Sequence, residues 1–123
     1  QETVDKLMEF GRETGKTPAL VQKEEDGFIV NNILKVIKEE AYRLVGEGVC
    51  SLEDLDKAVE LGLGHPMGPF KLDDMSGIDV RYNVLKRRME ETGVKSYGYD
   101  MISELYQQGR YGKKVKHGFY DYE

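Results

Sequence analysis

The stretch that decides the fold is GFIVNNILKVIKEEAYRLV, residues 27–45. Its apolar residues recur near the helical period and cover more than one narrow stripe of the helix surface, which is typical of a central helix. Asp26 is a suitable N-cap, and Gly46 or Gly48 can end the helix in a left-handed conformation. The polar side chains of this helix are expected to face water; they are Lys35, Lys38, Glu39, Glu40 and Arg43.

The sequence after this helix predicts further helices. Ser51 and Asp54 have the hydroxyl-to-carboxylate spacing of a capping box. They open a helix whose inward residues are expected to be Leu52, Leu55, Ala58, Val59 and Leu61. A turn-rich loop over 62–69 is followed by predicted helices over 70–75, 79–91 and 100–108, and by an extended tail over 119–122. The predicted class is all-α, a helical bundle-like domain.

The start of the chain has a different pattern. Residues 3–10 read as a helix and residues 17–22 as a short strand, which would expose unpaired backbone groups unless it pairs outside the helical body. The chain begins with Gln1 and not with Met, which suggests a piece of a longer protein. We therefore divide it into residues 1–25, a helix-strand extension, and residues 26–123, a helical domain.

Composition excludes several classes of function. A chain of 123 residues has the size of one domain. The formal net charge of −5 argues against a general nucleic-acid binder, which normally carries a basic face. No apolar stretch approaches the ~20 residues that cross a bilayer. The single cysteine, Cys50, is interpreted as an inert small residue between helices. The expected compartment is the cytoplasm, or the mitochondrion if the source is eukaryotic.

Few side chains suggest chemistry by pattern alone. Gly62, Gly64 and Gly68 approach a dinucleotide fingerprint, but a helix precedes them and Pro66 removes a donor, so a structural turn is favoured. His65 and His117 have no obvious carboxylate to orient them and are interpreted as polar loop residues. The cluster of Asp73, Asp74 and Asp79 is interpreted as solvated surface, and no metal site is predicted. A basic patch in the tail contains Arg110, Lys113, Lys114 and Lys116.

Three segments together carry a resemblance: Gly-Phe-Ile-Val-Asn at 27–31, Pro-Met-Gly-Pro-Phe at 66–70, and the ending Gly-Lys-Lys-Val-Lys-His-Gly-Phe-Tyr-Asp-Tyr at 112–122. In these segments the chain resembles the C-terminal domain of 3-hydroxyacyl-CoA dehydrogenases, including 3-hydroxybutyryl-CoA dehydrogenases. The resemblance implies that residues 1–25 end an NAD-binding domain. It also implies a parent enzyme that oxidises (S)-3-hydroxyacyl-CoA to 3-oxoacyl-CoA with NAD in fatty-acid metabolism.

The resemblance also implies roles for individual residues. The general base of the family, a His oriented by a Glu, belongs to the NAD-binding domain upstream of Gln1, so the isolated chain is expected to be inactive. Asn31 matches a family asparagine that helps to hold the reacting oxygen of the substrate. Lys114 matches a lysine that reaches the NAD cofactor. The positions expected to shape the domain interface or the acyl pocket, with core packing as the equal alternative, are Met67, Pro69 and Phe70.

Three positions depart from the family pattern. Asn32 stands where the family often has Arg, Val115 where it usually has Thr, and Lys116 where it usually has Gly. The implied partners are acyl-CoA, the NAD-binding domain and a second copy in a homodimer, which a strand exchange at 17–22 would suit. Two alternatives remain: a free-standing dimerisation or acyl-CoA-binding module, and the helical domain of a related hydroxy-acid dehydrogenase.

Overall fold

The computed structural model describes residues 29–123. Within this range lie five α-helices: α1 Ile29–Gly46, α2 Leu52–Leu63, α3 Pro69–Ser76, α4 Ile78–Thr92 and α5 Tyr99–Gln107, followed by a 3-10 turn at Lys113–Val115. By its internal contacts the chain divides into two units, residues 1–35 and 36–123. The all-α prediction is confirmed. The helix and strand expected before residue 26 lie outside the described residues.

Helix boundaries follow from local chemistry. Ser51 Oγ accepts a hydrogen bond from the backbone N–H of Asp54 at 3.1 Å, so the predicted cap of α2 is present. Gly64 ends α2 with φ +70°, a conformation that costs glycine little because it has no Cβ. Pro69 lies in the first turn of α3, where its missing N–H leaves no hydrogen bond unmade.

The core of residues 36–123 consists of two clusters of buried side chains. The first contains Ala41, Tyr42, Leu55 and Phe70, and the second contains Ile78, Leu85 and Ile102. The ring of Phe70 meets Tyr42 and Phe119 edge-on, with centroids 5.8 and 4.9 Å apart. Phe119 packs against both clusters, so a residue of the C-terminal tail, residues 109–123, helps to hold the helices together. Burial of each large apolar side chain stabilises the fold by ~1.5–3 kcal/mol.

Several expectations about individual positions are wrong. Lys38 was expected to face water but is 5% exposed, and Glu39 is partly buried, accepting from the N–H of Tyr97 at 3.3 Å. Leu61 was expected inside but is 85% exposed, because it lies on the outer face of α2 near the helix end. The tail, predicted to be extended over 119–122, forms isolated bridges at Gly112, His117 and Asp121, and the backbone N–H groups of Phe119 and Tyr120 donate to Asp74.

Candidate functional site

The first feature of the site is a set of three buried carboxylates, Asp56, Asp73 and Asp74, each at most 1% exposed. The interpretation of Asp73 and Asp74 as solvated surface is therefore wrong. A buried carboxylate is costly unless hydrogen bonds or a counter-ion replace its water. Each of the three has such partners.

Asp56 joins α2 to the start of α3. Its two oxygens accept hydrogen bonds from the backbone N–H groups of Phe70 and Lys71, both at 3.0 Å, and from the Tyr120 hydroxyl at 2.7 Å. Burial raises the pKa of the Asp56 carboxyl, while these three hydrogen bonds oppose that rise. The contact requires glycine at position 68, because a Cβ there would lie 2.4 Å from Asp56 Cγ.

Asp74 holds the tail against α3. It accepts from the backbone N–H of Phe119 at 2.8 Å, from the N–H of Tyr120 at 3.0 Å and from the Tyr122 hydroxyl at 2.7 Å. A Cβ at Gly118 would lie 2.2 Å from Asp74 Oδ1, so the tail backbone approaches the carboxylate too closely for any side chain. The tail therefore has one defined path across the helices.

Asp73 pairs with side chains of α1 and α4. Its carboxylate lies 2.7 Å from Lys38 Nζ and 3.8 Å from Arg81 Nε, and it accepts a hydrogen bond from the Tyr42 hydroxyl. Burial, followed by the negative charge of Asp73, raises the pKa of Tyr42. The sequence offered no signal for this network beyond the residue types, since Lys38 and Asp73 are 35 positions apart.

Lys114, the predicted cofactor-contacting lysine, lies in the 3-10 turn of the tail. Its ammonium Nζ lies 2.6 Å from Oδ1 and 2.8 Å from Oδ2 of Asp79, which belongs to the first turn of α4. The lysine side chain is half-exposed. The hydrogen bond from Lys114 is the largest cause that holds the pKa of Asp79 below its usual value.

The three residues expected near an acyl pocket occupy different environments. Met67 is partly buried, Pro69 is buried in the first turn of α3, and Phe70 is fully buried in the core. The position of Phe70 between Tyr42 and Phe119 supports the alternative of core packing for that residue. Asn31 is exposed on the first half of α1, in the unit formed by residues 1–35.

The glycine-rich loop has little capacity left to bind a phosphate. The N–H of Gly68 donates to Glu60 Oε2 at 2.9 Å. The backbone N–H groups of Phe70 and Lys71, in the first turn of α3, donate to Asp56. Carboxylates of the chain itself thus occupy the helix N-terminus where an anion would bind. This agrees with the interpretation of the loop as structural.

His117 has a carboxylate partner that the sequence analysis missed. Its Nδ1 lies 2.9 Å from Asp121 Oδ1, and Arg110 Nη2 lies 2.6 Å from the same oxygen. The sequence signal that could have indicated this pair is the spacing of four residues between His117 and Asp121. His65 is partly buried, and Cys50 packs against the first core cluster, consistent with a small residue between helices.

Within residues 29–123, no group of three or more His, Cys, Asp or Glu side chains is arranged to hold a metal ion. The helices in this range also lack the combination of length and apolar character that spanning a membrane requires.

Asp56 and Asp74 thus hold the tail against the helices, and residues 36–123 form a helical domain that includes the tail. Comparison with known proteins identifies the family of this domain. The sequence model described as "3-hydroxyacyl-CoA dehydrogenase, C-terminal domain" matches residues 27–122, and the chain belongs to this family.

Named relatives agree with the family. The chain is 36% identical over 121 residues to the 3-hydroxybutyryl-CoA dehydrogenase of Clostridioides difficile, covering 98% of this chain and 43% of that protein. It is also 36% identical to the mitochondrial hydroxyacyl-coenzyme A dehydrogenase of Homo sapiens, over 100% of this chain and 40% of that protein. The chain thus spans about two fifths of the length of these relatives.

A solved structure has the same fold. The (S)-3-hydroxybutyryl-CoA dehydrogenase from Ralstonia eutropha superposes with a TM-score of 0.73 at 33% sequence identity, covering 100% of this chain and 44% of that one. The 3-hydroxybutyryl-CoA dehydrogenase from Escherichia coli K12 gives a TM-score of 0.72 at 34% identity, over 98% of this chain and 26% of that one. The resemblance stated from the three sequence segments is confirmed.

Proposed function

We propose that this chain is the helical domain of an NAD-dependent enzyme that oxidises (S)-3-hydroxyacyl-CoA to 3-oxoacyl-CoA in fatty-acid metabolism. The observation that carries the proposal is the family match over residues 27–122. The names of the relatives in Clostridioides difficile and Ralstonia eutropha suggest a short acyl chain, 3-hydroxybutyryl, as the first substrate to test.

The chain's own contribution to the reaction is to orient the substrate. Asn31 is exposed and neutral, so its amide N–H can donate to the oxygen on C3 as that oxygen becomes a carbonyl. The proton of the hydroxyl leaves to a general base, which we assign to the NAD-binding domain outside residues 1–123. The 123-residue chain by itself is therefore inactive.

The tail offers a positively charged hydrogen-bond donor to an anionic cofactor. Lys114 offers a half-exposed ammonium, and its position is defined by Asp79 and by the path of the tail. When bound, NAD would supply the acceptor for the hydride that leaves C3. In this proposal Lys114 donates a hydrogen bond to the cofactor, while the NAD-binding domain provides most of the cofactor site.

An apolar strip on α1 supports a homodimer as the assembled form. Ile29 and Ile33 lie on one face of the helix by their spacing of four residues and are at least 40% exposed. Exposed apolar residues in a row are typical of protein–protein contacts. A second copy of the chain is the proposed occupant, and Ile33→Glu should shift the protein toward the monomer in sedimentation experiments.

The proposal is tested with two proteins. The complete gene product should oxidise NADH in the presence of acetoacetyl-CoA, whereas residues 1–123 alone should show no turnover at micromolar concentration. Absence of turnover by the complete product would contradict the assignment of the enzyme. Turnover by residues 1–123 that depends on His65 or His117 would contradict the assignment of the base to another domain.

The alternative of an acyl-CoA-binding module without catalysis predicts a different result. In that case, calorimetry would detect binding of butyryl-CoA to residues 1–123, and the complete product would bind it without any oxidation of NADH.

A further inference from the structure

We propose that Asp79 is a positioning residue for the cofactor: it holds the Lys114 ammonium at one point on the surface so that the remaining N–H is directed at an anionic group of the nucleotide. The inference rests on the proposed function of Lys114. Asp79 itself has no contact with cofactor or substrate in this proposal and acts through the lysine.

The geometry of the pair is well suited to this role. Both carboxylate oxygens lie within 2.8 Å of Nζ, so the ammonium is held from two points. A lysine ammonium has three N–H donors. Two of them are occupied by Asp79, and one remains for a ligand. Without the carboxylate, a half-exposed lysine side chain would sample many rotamers, and ordering it on binding would cost conformational entropy.

The backbones on both sides of the pair are also fixed. The N–H of Ile78 at the start of α4 donates to the carbonyl of Tyr111 in the tail at 2.9 Å. Gly77 has φ +108°, and a Cβ at this position would lie 2.8 Å from Asp79 Oδ1 and 3.3 Å from Lys114 Nζ. The absence of a side chain at position 77 thus leaves room for the pair, which joins two segments already bonded to each other.

The distribution of charge favours positioning over general attraction of anions. Lys113 and Lys116 are exposed neighbours of Lys114 in the tail. These two lysines can attract an anion at long range, whereas Lys114 is neutralised by Asp79 and contributes a directed hydrogen bond. The Asp79–Lys114 pair therefore places a hydrogen-bond donor precisely but contributes little net positive charge.

A double-mutant cycle on the complete gene product tests the inference. The variants are Asp79→Asn, Lys114→Met and the double variant, and the readout is the Kd for NADH by fluorescence titration together with KM and kcat. Asp79→Asn should raise the Kd roughly threefold to tenfold, with kcat within about twofold of wild type. In the Lys114→Met background, Asp79→Asn should have no further effect on the Kd, because its role passes through the lysine.

Two results would overturn the proposal. A lower Kd in Asp79→Asn would show that the carboxylate competes with the cofactor for the lysine. If Asp79→Asn raised the Kd for NADH by the same factor in the presence and in the absence of Lys114, Asp79 would have a general structural role. Both results leave turnover by the wild-type enzyme intact, so they are distinct from failure of the proposed function, which shows as absence of turnover.

Controls use the 123-residue chain as well as the complete product. Asp100→Asn breaks a comparable surface pair, in which Lys95 Nζ lies 3.0 Å from Asp100 Oδ2, and should leave the Kd for NADH unchanged. Independently of any cofactor, NMR titration of the Asp79 carboxyl should show a higher pKa in Lys114→Met than in the wild-type chain. An unchanged pKa would contradict the presence of the Asp79–Lys114 ion pair in solution.

Discussion

The hydroxyl of Tyr122 donates a 2.7 Å hydrogen bond to Asp74 Oδ2, so an aromatic residue at the end of the tail is held by a buried carboxylate of α3. The same carboxylate accepts the N–H groups of Phe119 and Tyr120. Through this side chain, together with Asp56, the helical body fixes the path of the tail that carries Lys114.

Asp74→Ala should therefore release the tail and destabilise the fold. The change removes three accepted hydrogen bonds and leaves two backbone N–H groups without their partner, a loss of about 3 kcal/mol or more. Tyr122→Phe removes a single hydroxyl and should cost about 1 kcal/mol. Urea unfolding measures the free energies, and limited proteolysis reports the tail; equal stability of the two variants would contradict the assignment.

Replacement by alanine should change the stability of the fold in opposite directions at Gly62 and at Gly68. At Gly68 a Cβ would clash with Asp56, at 2.4 Å from Cγ, so Gly68→Ala should destabilise by about 1–3 kcal/mol. At Gly62, inside α2, nothing lies within 4 Å of a Cβ. Gly62→Ala should therefore stabilise by about 0.5–1 kcal/mol. Thermal unfolding of Gly62→Ala and Gly68→Ala tests both expected changes in stability.

The buried Lys38–Asp73 pair should tolerate joint replacement better than the loss of one partner. Lys38→Met alone leaves the buried carboxylate without its lysine and should cost about 3–5 kcal/mol. Adding Asp73→Leu removes that charge but leaves the Tyr42 hydroxyl and Arg81 without the carboxylate, so it should recover only part of the loss. Recovery would be measured by urea unfolding, and a double variant less stable than Lys38→Met would contradict this account.

The Asp79–Lys114 pair should make stability depend on pH in the acid range. Because Lys114 lowers the pKa of Asp79 in the folded state, the pair contributes stability above the unfolded pKa of about 3.9. That contribution is lost as the pH falls through the lower folded-state pKa. Wild type should therefore exceed Asp79→Asn in stability at neutral pH and converge with it once the pH falls below the folded-state pKa of Asp79. A difference that grows toward acid pH would have the wrong sign.

Asn31→Ala should impair turnover and leave the fold intact. Removing a donor to a developing oxyanion typically lowers kcat about 100-fold or more. Since Asn31 is exposed in the described chain, the unfolding free energy should change by less than about 0.5 kcal/mol. The complete gene product is the protein to assay, and Asn83→Ala, an exposed asparagine on α4, is the matched control. Similar kcat values in both variants would contradict the role of Asn31.

Helices and their ends could be predicted because short-range chemistry determines them. The period of the apolar residues in 27–45 indicated a central helix, which the structure describes as α1, Ile29–Gly46. The Ser51 cap and the order of the following helices also came from neighbouring residues. Boundaries moved by one or two positions where a glycine or proline stands at the helix end, as at Pro69.

Sequence by itself determined the fold class, the family and the residues worth testing, since periodicity, caps and three quoted segments are local properties of the chain. Tertiary structure alone decided the positions of the charged residues. Lys38, Asp56, Asp73 and Asp74 are of types that usually face water, and their burial depends on partners 14 to 64 positions away. The Asp79–Lys114 pair spans 35 positions in the same way. Hydrogen bonds between distant segments exist only after the chain has packed, and no local pattern contains them.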